Sequence, residues 1–145
     1  MSLPPIPSWD ALHPLIVHFP IALLLAPCGV AARALVAAAV VVVALPVVAR
    51  FLRGRDVEDP QEVVLDELAG MLVAVAFVPV DPLWILGAFL LFRLLDITKP
   101  GPIGWFERRT SGSVSVVGDD VLAGAAAGGL LLALRVLGAS FGWWT

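Results

Sequence analysis

Charged residues are concentrated in one stretch of this sequence, residues 92–120, which lies between segments that are otherwise apolar. The stretch contains four basic residues and four acids, including the adjacent pair Asp119 and Asp120. Carboxylates are the ligands that Mg²⁺ prefers, and the cationic side chains of Arg93 and Lys99 can neutralise phosphate oxygens. Charges are costly to bury unless they are paired or bind a charged ligand. The stretch therefore predicts a polar site for a divalent cation and a phosphate group.

Two further acids stand earlier in the chain. Asp66 and Glu67 lie at the start of the preceding apolar segment, and we expect them to contribute to the same site. Arg93, Asp96 and Lys99 are spaced three residues apart, so a helix that continues to Lys99 would present all three on one face.

The composition indicates a membrane protein. Of the 145 residues, 60% are hydrophobic and only 14% are charged, which is not the balance of a soluble globular domain. Seven of the nine basic residues fall in segments 50–55 and 93–109, where they are mixed with acids. That distribution is typical of a membrane-facing protein and excludes a nucleic-acid-binding face.

The apolar segments that must position the charged residues are predicted to be helices, because a bilayer requires backbone groups to pair within a segment. We expect a Pro-rich helix over 12–32, a tight turn near Arg33, and a second helix over 34–49. Residues 68–92 could form one kinked span with Asp81 near its centre, or residues 61–97 could form a helical hairpin with Asp81 at the turn. The hairpin is favoured, since a carboxylate in the middle of a bilayer is costly.

The last helix is expected to run from Val121 to about Leu137. Asp119 and Asp120 would then either cap its N-terminus or belong to the polar site. Gly124 and Gly128 have the small-xxx-small spacing of close helix packing. This spacing favours packing inside the monomer and leaves a homo-oligomer open.

The distribution of Lys and Arg orients the helices. Segments 50–67 and 93–120 hold most of them and are predicted to be cytoplasmic, with the turns near Arg33 and Asp81 on the other side of the membrane. The sequence thus predicts an all-α, polytopic membrane bundle of about five helices, including a 61–97 hairpin, with every candidate site residue on the cytoplasmic face.

The order and spacing of the polar residues closely resemble the phosphatidylglycerophosphatase A family over residues 58–137. The residues that carry the resemblance form three motifs: Asp66-Glu67-x-x-Gly70, Phe92-Arg93-x-x-Asp96-x-x-Lys99-Pro100-x-Pro102-Ile103, and Asp119-Asp120-x-x-Ala123-Gly124. The resemblance implies a phosphoric monoester hydrolase of the bacterial inner membrane, which uses Mg²⁺ to remove the terminal phosphate of phosphatidylglycerophosphate and give phosphatidylglycerol.

The resemblance also implies roles for individual residues. The Mg²⁺ ligands would come from four acids: Asp66, Glu67, Asp119 and Asp120. Asp96, Glu67 and Asp120 would take part in catalysis, with Asp96 as a metal ligand or general base. Arg93 and Lys99 would bind the phosphate of the phospholipid substrate.

The N-terminal part departs from that family. Residues 12–25 instead resemble an uncharacterised family of small bacterial membrane domains that begin with H-P-x-x-V-H-F-P-I-A. We therefore divide the chain into an atypical membrane hairpin, 1–49, and a phosphatidylglycerophosphatase A-like domain, 50–145. Two other functions stay open: an inactive membrane scaffold or fusion protein of the same fold, and a metal or redox protein that uses His13 and His18.

Overall fold

The computed structural model describes residues 20–21, 24–25, 27–53 and 64–142, and every regular element in these ranges is an α-helix. The predicted all-α bundle is therefore confirmed. In chain order the helices are α1 (Val30–Leu52), α2 (Leu65–Ala76), α3 (Pro82–Thr98), α4 (Pro102–Arg109) and α5 (Gly112–Ser140).

Helices α2 and α3 form the predicted hairpin. Asp81 is the N-cap of α3 and accepts a hydrogen bond of 2.8 Å from the backbone N–H of Leu83, while Pro82 occupies the first helical turn, where its missing N–H costs nothing. At the other end of the hairpin Arg93 lies 2.8 Å from Glu67. The alternative of a single kinked span is wrong, because it would place these two side chains on opposite sides of a membrane.

Helix α5 contacts α2 backbone to backbone. A Cβ added to Gly124 would lie 2.1 Å from the carbonyl oxygen of Gly70, and one added to Gly128 would lie 2.8 Å from that of Ala74. Only residues without a side chain allow this approach. The Gly124 to Gly128 spacing thus serves packing inside the chain, as the sequence favoured.

The turn predicted near Arg33 lies a few residues earlier, at 27–29, and Arg33 itself lies inside α1, which begins at Val30 after the extended Gly29. Its buried guanidinium donates hydrogen bonds to the carbonyl oxygens of Val75 and Val78, at 3.0 and 2.9 Å. These carbonyls lie at the C-terminal end of α2, where a cation is stabilised by the helix dipole. Arg33 is therefore accommodated in the helix and does not need a turn.

The predicted start of the last helix is wrong. Helix α5 begins at Gly112, with Ser111 as its N-cap, so Asp119 and Asp120 lie about two turns inside it and do not cap its N-terminus. Val116 and Val117 of this added segment pack on Ala44 and Val48 of α1, which stabilises the extra turns.

Two described helices, α1 with 23 residues and α5 with 29, are long and apolar enough to cross a membrane. Helices α2 and α3, with 12 and 17 residues, are shorter than the roughly 20 residues of a typical span. The predicted helix over 12–32 lies largely outside the described residues, and so do residues 61–63 of the predicted hairpin. The division into 1–49 and 50–145 stays a prediction.

Candidate active site

The structure gathers all seven predicted site residues at one end of the bundle. Three helices supply them because the α2–α3 hairpin and the glycine contact with α5 bring their polar ends together. Asp66 and Glu67 occupy the first turn of α2, Arg93 and Asp96 the end of α3, Lys99 its C-cap, and Asp119 and Asp120 the interior of α5.

Arg93 connects the two arms of the hairpin. One guanidinium nitrogen, Nη1, donates to Glu67 Oε1 at 2.8 Å and to Asp96 Oδ2 at 2.9 Å, and all three side chains are mostly buried. A guanidinium has five N–H donors, so further donors on this planar fork can meet a phosphate oxygen. The two acids fix the position of Arg93 and leave it able to bind an anion.

Lys99 is the cation of a second cluster. Its Nζ lies 2.6 Å from both Asp119 Oδ2 and Glu107 Oε1. Burial alone would lower the pKa of Lys99, but hydrogen bonds and charge attraction from Asp119 and Glu107 outweigh it and raise the pKa above its ordinary value. Lys99 is therefore a cation at neutral pH.

The backbone at Lys99 is unusual as well. Lys99 has φ of 42°, the one positive φ of a non-glycine residue in the described part of the chain. This left-handed conformation ends α3 and is normally the place of a glycine. Gly104 allows α4 to approach, since a Cβ there would lie 2.6 Å from the Lys99 carbonyl oxygen. The turn thus directs α4 back onto Lys99.

Asp120 is a deeply buried acid of the site. Only 5% of its surface is exposed, it lies within hydrogen-bonding reach of Asp96, and it is close enough to Asp66 and Asp119 to be repelled by their charges. Gly70 makes this closeness possible, because a Cβ there would lie 2.6 Å from the Asp120 carbonyl oxygen. Like charges this close are unfavourable unless a proton or a cation lies between them.

The donor chemistry of these acids fits Mg²⁺. Among the residues that the structure describes, no group of three or more Asp, Glu, His or Cys side chains could hold a metal ion as they are arranged. Mg²⁺ does not need one, because it keeps several waters and is usually held by one or two carboxylates together with substrate phosphate. That Asp120 and Asp66, which lie close together, are Mg²⁺ ligands stays a prediction. Glu67 and Asp119 face Arg93 and Lys99, and their role as ligands stays a prediction.

Glu107 is a site residue that the sequence reasoning missed. It comes from α4, whose existence was not predicted, and it reaches Lys99 across the turn Pro100-Gly101-Pro102. A proline in the first helical turn after a glycine is a helix-start signal that could have revealed α4. A helix starting there would have returned toward the end of α3.

Comparison with known proteins identifies a family over most of the chain. The family model described as phosphatidylglycerophosphatase A matches residues 7–135. The phosphatidylglycerophosphatase A of Escherichia coli is 38% identical over 76 residues, 52% of this chain and 44% of that protein. The protein of the same name from Haemophilus influenzae is 41% identical over 68 residues, 46% of this chain and 42% of that protein.

A Bacteroides thetaiotaomicron protein that is provisionally named a phosphatidylinositol-3-phosphatase is 43% identical over 70 residues, 46% of this chain and 43% of its own length. The matched parts thus span less than half the length of each of these curated relatives. No solved structure matches the chain.

Proposed function

The chain belongs to the phosphatidylglycerophosphatase A family, and we propose that it hydrolyses the terminal phosphate monoester of phosphatidylglycerophosphate to phosphatidylglycerol and inorganic phosphate. The observation that carries this proposal is the convergence of three separate sequence motifs, which supply two cations and a group of mutually close carboxylates to one end of the bundle. Cations suit the phosphate, and the carboxylates suit a divalent metal.

The residues divide into two groups in the proposed mechanism. Arg93 and Lys99 bind the oxygens of the terminal phosphate and hold it in place for attack by water. Asp120, with Asp66 beside it, would hold Mg²⁺, which when bound neutralises phosphoryl charge and lowers the pKa of a coordinated water. Glu67 and Asp119 orient the two cations.

In this proposal Asp96 is the general base. It lies against both Arg93, which binds phosphate in this proposal, and Asp120. Its carboxylate takes a proton from the attacking water, whose oxygen forms the new bond to phosphorus while the bond to the glycerol oxygen breaks. The departing glycerol oxygen then takes up this proton from Asp96 and becomes the free hydroxyl of the product, which leaves Asp96 ionised again.

A lipid substrate agrees with the surface of the described helices. Helices α1 and α5 are long enough to span a membrane and expose many large apolar side chains. On α4, beside the site, Trp105 is exposed and the guanidinium of Arg109 lies 4.9 Å from the centre of its ring. Trp and Arg are typical of the membrane interface. We place the protein in the bacterial inner membrane, as a multi-pass protein whose site faces the cytoplasm.

Two other functions remain to be separated from this one. The Bacteroides relative carries a name that points to phosphatidylinositol-3-phosphate, and an inactive scaffold would keep the fold without turnover. The experiment is phosphate release by the purified chain in detergent with Mg²⁺, from phosphatidylglycerophosphate, phosphatidylinositol-3-phosphate and phosphatidic acid in parallel.

We expect kcat/KM for phosphatidylglycerophosphate to exceed that for the other two lipids by at least about tenfold, the discrimination that a few headgroup contacts provide. The Asp120→Asn variant, prepared identically, corrects for contaminating phosphatases. Faster release from phosphatidylinositol-3-phosphate would reassign the substrate, and no release above the variant from any lipid would favour the scaffold.

A further inference from the structure

Among the described residues, Glu107 touches the candidate site from outside the three motifs. Its carboxylate shares Lys99 with Asp119, each at 2.6 Å from Nζ. An ammonium group has three N–H donors, so these two acids occupy two of them and leave one for a ligand. A phosphate that binds Lys99 therefore meets an ammonium group that already forms ion pairs with two carboxylates.

The two acids that pair with Lys99 differ in how deeply they are buried. The Asp119 side chain is 6% exposed, and its second oxygen, Oδ1, accepts the backbone N–H of Asp120 at 3.0 Å. The Glu107 side chain is 41% exposed. A buried carboxylate that loses its ion-pair partner is left uncompensated, which is strongly destabilising. A half-exposed carboxylate that loses its partner is solvated by water, so the cost is small. Glu107 is therefore the partner that gives way when an anion approaches Lys99.

From this asymmetry we propose that Glu107 competes with phosphate for Lys99, and so limits how tightly the site holds the phosphate of its substrate and the inorganic phosphate it releases. The inference rests on the proposed function, in which Lys99 binds phosphate. Glu107 acts through Lys99 and is a positioning residue. Its release frees a second N–H donor and removes a negative charge from beside the bound phosphate. Easier departure of the product is the consequence for turnover.

The test is the binding of inorganic phosphate to the full chain in detergent with Mg²⁺, measured by isothermal titration calorimetry. Glu107→Gln keeps the size of the side chain and removes its charge. We expect the Kd for phosphate to fall by about threefold to tenfold, the range of one partly exposed charge pair. A merely structural role for Glu107 would leave the Kd unchanged or raise it.

Glu107→Asp separates the contact from the charge. It keeps the negative charge on α4 but shortens the side chain by one methylene, about 1.5 Å, which breaks the ion pair with Lys99. If competition for Lys99 is the cause, this variant also binds phosphate more tightly than the wild type. Because the side chain at this position is half-exposed, both variants are expected to keep the wild-type unfolding temperature, which is measured alongside.

Several results would overturn the inference. Unchanged or weaker phosphate binding in Glu107→Gln would show that Glu107 supports the site and does not compete. Wild-type affinity in Glu107→Asp would show that net charge, not the contact with Lys99, causes the effect. If the wild type and both variants all fail to bind phosphate, the premise that Lys99 binds phosphate is wrong. Phosphate release from lipid is measured separately: its absence, with the expected phosphate affinities intact, would overturn the proposed function alone.

Discussion

Asp120→Asn is expected to lower kcat for phosphate release by more than about a thousandfold, because in the proposed mechanism Asp120 holds a metal that would contribute several kcal/mol to the stabilisation of the transition state. The substitution keeps the shape of the side chain and removes its charge. It also removes the repulsion between Asp120 and its neighbours Asp96 and Asp66. We therefore expect the variant to be at least as stable as the wild type while it is inactive. Initial rates and thermal unfolding in the same detergent measure both quantities.

Asp81→Asn is the matched control for that substitution. Asp81 caps α3 at the opposite end of the hairpin, and asparagine is nearly as good an N-cap as aspartate. Its activity is expected to stay within a few fold of the wild type. Near-normal activity in Asp120→Asn, or an equal loss in Asp81→Asn, would mean that the carboxylate of Asp120 has no specific role in the reaction.

Gly124→Ala is expected to destabilise the protein by about 3 kcal/mol, the upper part of the range for overpacking. The added methyl group would lie 2.1 Å from the carbonyl oxygen of Gly70, which belongs to a helix backbone and cannot rotate away as a side chain would. Helices α2 and α5 must separate, and this separation also moves Asp66 away from Asp120. Unfolding in a denaturing detergent titration measures the loss of stability.

Gly129→Ala lies on the same helix and provides the control. A Cβ at Gly129 meets nothing within 4 Å, and alanine is the better helix former by up to about 1 kcal/mol. The two substitutions should therefore change the free energy of unfolding in opposite directions. Equal stability of both variants would contradict the close contact between α2 and α5.

The hairpin could be predicted from the sequence because its signals are local. Asp81 and Pro82 mark the start of a helix, and the charged residues at the far ends of both arms avoid the apolar interior. Placing Glu67 and Arg93 at one end of the bundle followed from this turn. The convergence of the site residues thus depended on topology more than on any single motif.

The start of α5 could not be predicted in the same way. Ser113 to Val117 are small or β-branched residues of modest helix propensity, and the Asp pair was the stronger apparent start signal. Packing of Val116 and Val117 on α1 stabilises these turns, as does the hydrogen bond of 3.3 Å from Ser115 Oγ to the Glu107 carbonyl. Such tertiary contacts cannot be seen from spacing alone.

The pairing of particular acids with Arg93 and Lys99 could not be predicted from the sequence either. Sequence spacing placed Arg93, Asp96 and Lys99 on one helical face, but α3 ends at Thr98 and Lys99 adopts a left-handed conformation. After this turn its side chain pairs with Asp119 and Glu107. The site therefore has two clusters, one around Arg93 and one around Lys99. Asp120 is close to an acid of each cluster, Asp96 and Asp119.

Phosphate release from phosphatidylglycerophosphate by the purified wild-type chain, with the metal removed and then restored, tests the central claim most directly. The claim is that the carboxylates around Asp120 form the metal centre of a lipid phosphatase. We predict release with Mg²⁺ present, loss of release after chelation by EDTA, and recovery when excess Mg²⁺ is added back. Release that continues at full rate in EDTA, or that is absent under all three conditions, would contradict it.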